Sequence, residues 1–203
     1  MQRYKIIHRT YYNYSEDVTL GPHTLLLRPR EDHELRIESF VLKTTPPASL
    51  LWHRDVEGNS VAVATFDLQT NQLVVESEVI IQQYNEAPLD FMVADYAVNY
   101  PFAYQGDDKI LLSPYMALPE QEELNVLNSW IANFWQPSEK IQTYTLLQRL
   151  AAHIYQTFKY QVREEPGVQA ARQTLSHGTG SCRDFAQLFI QAARCLGLAS
   201  RFV

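Results

Sequence analysis

Through residues 1–85 the apolar positions come in short runs rich in β-branched and aromatic residues. These runs cover 4–14, 24–28, 35–43, 60–67 and 72–82, and they predict strands. In the last run Leu73, Val75, Val79 and Ile81 keep close to a period of two. Gly21-Pro22, Pro46-Pro47, Glu57-Gly58-Asn59 and Thr70-Asn71 punctuate the runs as turns. Short strands at this spacing predict an antiparallel β-sandwich over 1–85.

The pattern then changes twice. Residues 86–118 read as an aromatic-rich connector, interrupted by Pro88, Pro101, Gly106 and Pro114. Phe91, Tyr96, Tyr100, Phe102, Tyr104 and Tyr115 mark it as a packed segment between domains, not a free linker. Over 119–203 the period becomes helical. Pro119 and the acidic Glu120, Glu122 and Glu123 suit a helix start, followed by Leu124, Leu127, Trp130, Ile131 and Phe134. Pro137 ends that helix. Ser138 is positioned to cap a second one, running through Ile141, Leu147, Leu150, Ile154 and Phe158. A short strand is expected at 159–162 and a short helix at 168–176, stopped by Gly178. The last helix has the clearest ends. Ser181 and Asp184 fit a capping box, Phe185, Leu188, Phe189, Ala192 and Leu196 form the apolar stripe, and Gly197 is the stop. Residues 198–203 read as a strand. The fold class is therefore α+β.

Composition narrows the function classes. The net charge is −6 over 203 residues and no run of Lys and Arg occurs, which argues against nucleic-acid and anionic-membrane partners. No signal-peptide core and no stretch of roughly 20 apolar residues is present, so a cytoplasmic protein is expected. The two cysteines, Cys182 and Cys195, form no CxxC pair and no metal-ligand spacing. On one helix they would lie roughly 20 Å apart, beyond disulfide reach. Gly178-Thr-Gly-Ser lacks the Lys of a phosphate loop. No metal or other cofactor is expected.

The chemistry concentrates at Gly178-Thr-Gly-Ser-Cys-Arg-Asp184. The glycines permit a tight turn, Ser181 caps, and Cys182 falls at the first helical position. There, helix N–H groups and the dipole favour a thiolate and can face an oxyanion. These residues alone leave Cys182 open between a nucleophile and a small buried hydrophobe. Cys195, among Ala192, Ala193 and Leu196, fits the buried alternative. Asp184 reads as a capping residue whose charge opposes a thiolate, with Arg183 as a partial offset. His177 suits a helix C-terminus better than a catalytic role, His8, His23, His33 and His53 read as surface or strand residues, and His153 reads as structural. Tyr160 reads first as core packing and second as a cleft-lining or oxyanion-assisting group. Gly180, Ser181 and Asp184 complete the candidate lining.

The stretch 178–189, Gly-Thr-Gly-Ser-Cys-Arg-Asp-Phe-Ala-Gln-Leu-Phe, resembles the nucleophile helix of bacterial transglutaminase-like proteins. Their pattern Gly-x-Cys-x-Asp-Phe-Ala followed by Arg-x-x-Gly-x-x-x-Arg falls on Gly180, Cys182, Asp184, Phe185, Ala186, Arg194, Gly197 and Arg201. Tyr4, His8, Thr10, Tyr12, Pro29, Asp55, Gly58 and Asn59 resemble the β domain that precedes this core in bacteria. The resemblance implies a papain-like cysteine enzyme, a hydrolase or acyltransferase, acting on a protein or peptide amide through a thioester at Cys182. It also implies a His and an Asp on strands after the nucleophile helix, yet no histidine follows Cys182. The ending Arg201-Phe202-Val203, apolar and β-prone, adds the expectation that the catalytic sheet is missing. An inactive fragment that self-associates through an exposed edge would follow. The alternative is a non-catalytic protein-binding scaffold with a vestigial cysteine.

Overall fold

The computed structural model describes residues 1–85, 87 and 89–202. Glu86, Pro88 and Val203 lie outside the described residues, and with them one interruption of the expected connector and the end of the expected final strand. The chain divides into two compact units, Met1–Phe91 and Met92–Val203.

The first unit contains β1 (Gln2–Thr19), β2 (His23–Arg28), β3 (Leu35–Thr45), β4 (Ser49–Arg54), β5 (Ser60–Thr65) and β6 (Gln69–Gln83). They form two antiparallel sheets, ordered β1-β6-β3 and β2-β5-β4. β6 is central, and its alternation is complete: Leu73, Val75, Ser77, Val79 and Ile81 are buried. On its other face Glu78 pairs with Lys5 at 2.9 Å and Glu76 pairs with Arg9. Leu73 and Val75 meet Leu25 and Leu27 of the second sheet and Leu42 of β3, so the sheets share a core as a sandwich. The pattern did not predict β4. It is an edge strand with only Leu50 turned partly inward, while Leu51 and Trp52 are exposed. Edge position removes the alternation by which a half-buried strand is recognised.

The second unit contains β7 (Asn99–Tyr100), α1 (Gly106–Leu111), α2 (Gln121–Ile131), β8 (Ile141–Gln142), α3 (Thr143–Thr157), β9 (Lys159–Tyr160), α4 (Ala171–His177), β10 (Thr179–Gly180) and α5 (Cys182–Cys195). Short 3-10 turns cover Asp95–Ala97 and Ser113–Met116. Leu127 and Trp130 of α2, Leu146 and Leu150 of α3, and Leu188 and Ala192 of α5 build one core. The aromatic stretch does not stand apart as a connector: from Met92 onward it belongs to this unit. Tyr100 is buried and its hydroxyl donates to the Leu196 carbonyl at 2.7 Å, while the Tyr104 hydroxyl accepts the Ala199 N–H at 2.9 Å.

Several element boundaries differ from expectation: α2 ends at Ile131, short of Phe134 and Pro137, and β9 covers Lys159–Tyr160. Ser138 caps nothing: Ile141 and Gln142 pair with Tyr100 and Asn99, so α3 starts at Thr143. Residues 168–170 precede α4 instead of opening it, and there Gln169 makes a tertiary contact described below. Residues 198–202 form no strand. Their polar groups bond to side chains and loops instead, the Ser200 N–H to Tyr115 O and the Ser200 carbonyl to Arg194. Gly197 does stop α5, at φ +74°, with Gly197 N–H on Arg194 O and Leu198 N–H on Ala193 O. Among the described residues no helix is long and apolar enough to cross a membrane.

Leu150 is wholly buried where α2, α3 and α5 meet. Leu150→Ala is expected to lower stability by about 2–5 kcal/mol in urea titration. Ile110→Ala, at an exposed position, should stay within about 0.5 kcal/mol of wild type.

Candidate active site

The nucleophile candidate sits on a strand–turn–helix. α4 ends where Gly178 takes φ +68° and returns its N–H to Thr174 O at 3.1 Å. The chain then runs as β10, parallel to β9, with Lys159 N–H on Gly178 O at 3.0 Å and Gln161 N–H on Gly180 O at 2.9 Å. Ser181 follows in extended backbone as the N-cap, and α5 opens at Cys182. Gly180 is required by close approach. A Cβ there would stand 3.1 Å from both Asp184 Cβ and Phe185 Cε1, so the absent side chain lets β10 lie against the first turn of α5.

Cys182 is exposed. As the first residue of α5 it lies at the end of the dipole that favours negative charge. Cys195, at the far end of the same helix, is half-buried. Burial, reinforced by Glu123, pushes its thiol up to about 11. The two thiols therefore occupy opposite environments.

Behind Cys182 lies a buried carboxylate. Asp184 is fully buried, and it accepts the Ser181 N–H at 2.8 Å and the Ser181 hydroxyl at 2.7 Å on one oxygen. Arg163 reaches the same carboxylate through Nε at 2.8 Å and Nη2 at 3.3 Å, and the Gln169 N–H donates at 2.8 Å. Burial alone would raise this carboxyl. The Arg163 guanidinium, the Gln169 and Ser181 N–H groups and the Ser181 hydroxyl outweigh it and hold the group well below the usual carboxylate range. Gln169 also bonds Thr174 Oγ1 at 3.0 Å and the Thr179 carbonyl at 3.2 Å, fastening the loop before α4 to β10.

The structure thus brings Gly180, Ser181 and Asp184 together beneath Cys182, all three buried. Tyr160 is not core packing: it is 63% exposed on β9, opposite Gly180 in the register. His177 is exposed at the C-terminal end of α4, and His153 packs against Trp130 and Phe134. The offset expected from Arg183 comes from Arg163 instead. Arg183 donates to the Arg163 carbonyl at 3.3 Å and to the Glu165 carbonyl. Arg163 and Gln169 escaped the sequence reading because no local spacing links a loop residue to a carboxylate 21 positions later. Phe185 also borders an apolar cavity of about 430 Å³ with Ile154, Phe189 and Phe202.

Residues 4–82 match the bacterial transglutaminase-like N-terminal region, and residues 136–203 match the transglutaminase-like superfamily. Uncharacterised proteins of Mycobacterium bovis and of two Mycobacterium tuberculosis strains are 26% identical over 210 aligned positions. The alignment takes in 99% of this chain, which spans 64% of the length of those relatives. A solved structure from Cytophaga hutchinsonii, provisionally designated a cysteine protease, has the same fold, with TM-score 0.65 at 16% identity. That similarity covers 96% of this chain and 64% of the other.

Two predictions follow from this geometry. Gly180→Ala should lower stability by about 1–3 kcal/mol through overpacking, read as a fall in midpoint temperature. Asp184→Asn tests the charge. A folded-state value below the ordinary 3.8 means that the stabilisation is present above the unfolded value and is lost as pH falls toward the folded one. The stability gap between wild type and D184N should hold from about pH 7 to about pH 5 and narrow below about pH 4 in urea titrations. A gap that stays level down to about pH 2.5 would contradict an ionised Asp184.

Proposed function

Since the chain belongs to the transglutaminase-like superfamily, we propose that Cys182 is the nucleophile of a cysteine hydrolase or acyltransferase acting on a protein or peptide amide. The observation that carries this reading is the exposed thiol at the first turn of α5, and the Gly180-x-Cys182-x-Asp184-Phe185-Ala186 motif around it resembles the superfamily's nucleophile pattern. In the forward step the Cys182 sulfur attacks the amide carbonyl carbon and a C–S bond forms. The carbonyl oxygen takes the negative charge, which helix-end N–H groups can stabilise. Collapse breaks the C–N bond, and the amine leaves with a proton. Water, or a second amine, then attacks the thioester and frees the sulfur.

The proton relay is not assigned to these residues. The superfamily resemblance calls for a histidine oriented by an aspartate after the nucleophile helix, and none of the histidines here follows Cys182.

Reaction with iodoacetamide near pH 6 tests this. Roughly 0.3% of an ordinary thiol is ionised there. Cys182 should react about tenfold or more faster than free cysteine, with Cys195 lagging far behind in peptide mapping. A Cys182 rate equal to that of free cysteine would sink the nucleophile reading and leave a binding module.

A further inference from the structure

The network beneath Cys182 joins segments that are distant in sequence. Asp184 and Ser181 belong to the start of α5, whereas Arg163 and Gln169 lie on the loop between β9 and α4. That loop is fastened twice more. Arg183, the residue after Cys182, donates to the Arg163 and Glu165 carbonyls, and the Gln169 side chain holds the Thr179 carbonyl of β10. The residues on both sides of Cys182 are thereby clamped. Ser181 is held through its N–H and hydroxyl by Asp184, and Arg183 through its guanidinium by the loop. Cys182 itself stays exposed between them.

We propose that Arg163 and Asp184 are positioning residues for Cys182: their buried ion pair straps the 161–170 loop to the first turn of α5 and so fixes where the sulfur is presented. This inference rests on the nucleophile reading above. Asp184 also packs against β10, since a Cβ at Gly180 would stand 3.1 Å from Asp184 Cβ. The ion pair is 0% exposed on the Asp184 side and 19% on the Arg163 side. Removing either partner leaves the other charge desolvated and drives the strap to rearrange. Arg163→Lys keeps the charge but loses the two-pronged grip. Asp184→Asn keeps the shape but replaces an acceptor oxygen with a donor amide facing donors.

The test measures alkylation of Cys182 and Cys195 separately by peptide mapping in wild type, Arg163→Met, Arg163→Lys and Asp184→Asn. Near-ultraviolet circular dichroism reports folding. A strap predicts that Cys182 slows about tenfold or more in Arg163→Met and in Asp184→Asn, with Arg163→Lys between them and wild type. Cys195 should stay slow throughout. Asp184→Asn separates position from charge, because an Arg163 cation freed of Asp184, facing the exposed Glu165 at 3.6 Å, would by itself speed a thiolate reaction. A faster Cys182 in that variant overturns the proposal. Unchanged Cys182 rates in folded variants overturn it as well. So does a parallel rise at Cys195, which marks general loosening. If Arg163→Met does not fold, Arg163→Lys, which keeps the cation, decides. A wild-type Cys182 no faster than free cysteine removes the nucleophile reading and this inference with it, a pattern distinct from the other three.

Discussion

An ionised carboxylate with no exposure to water governs how the first turn of α5, β10 and the β9–α4 loop are arranged. Desolvating Asp184 is costly, and only a complete set of donors makes it tolerable. Five hydrogen bonds supply that set, two from the Arg163 guanidinium, two from Ser181 and one from the Gln169 backbone. Because the donors come from separate segments, satisfying the charge also dictates geometry. The β9–α4 loop must pass over the start of α5, and Ser181 must adopt the N-cap conformation. Residues 168–170 run ahead of α4, with the Gln169 N–H on Asp184.

The close approach of β10 to α5 depends on this arrangement. Gly180 leaves no room for a Cβ against Asp184 and Phe185. The parallel pairing with β9 holds the same residue through its carbonyl. Strand, turn and helix are thereby locked within a few residues, and Cys182 emerges at the point where they meet. Cys195 on the same helix shows the contrast: without the turn and the exposed helix start, a cysteine becomes a half-buried thiol that resists ionisation.

Much of this was legible in one dimension. The period-two burial of β6, the apolar stripe of α5, the stops at Gly178 and Gly197 and the Ser181–Asp184 cap all follow from patterns within a few residues of each other. Family membership is equally a property of local motifs spread along the chain, and the matches to residues 4–82 and 136–203 agree with it. What failed to show was whatever needed a partner from elsewhere. β4 is an edge strand without alternation, and β7 and β8 are two-residue strands that exist only because they pair with each other. The run at 198–202 has strand-like composition, yet loop and side-chain groups take its hydrogen bonds.

By itself the sequence determined the α+β class, the presence and order of most of the main helices and strands, and Cys182 as the residue at a capped, glycine-preceded helix start. Those features depend on backbone propensity and on periodicities of two and 3.6, which neighbouring residues encode. Only the tertiary structure decided that Asp184 faces Arg163 rather than Arg183. It also decided that Tyr160 stands exposed beside the turn and that the aromatics after Met92 serve the second core. The physical reason is that a buried charge is neutralised by whichever donor the fold brings within hydrogen-bond distance. That distance is set by the path of the whole chain, not by separation along it.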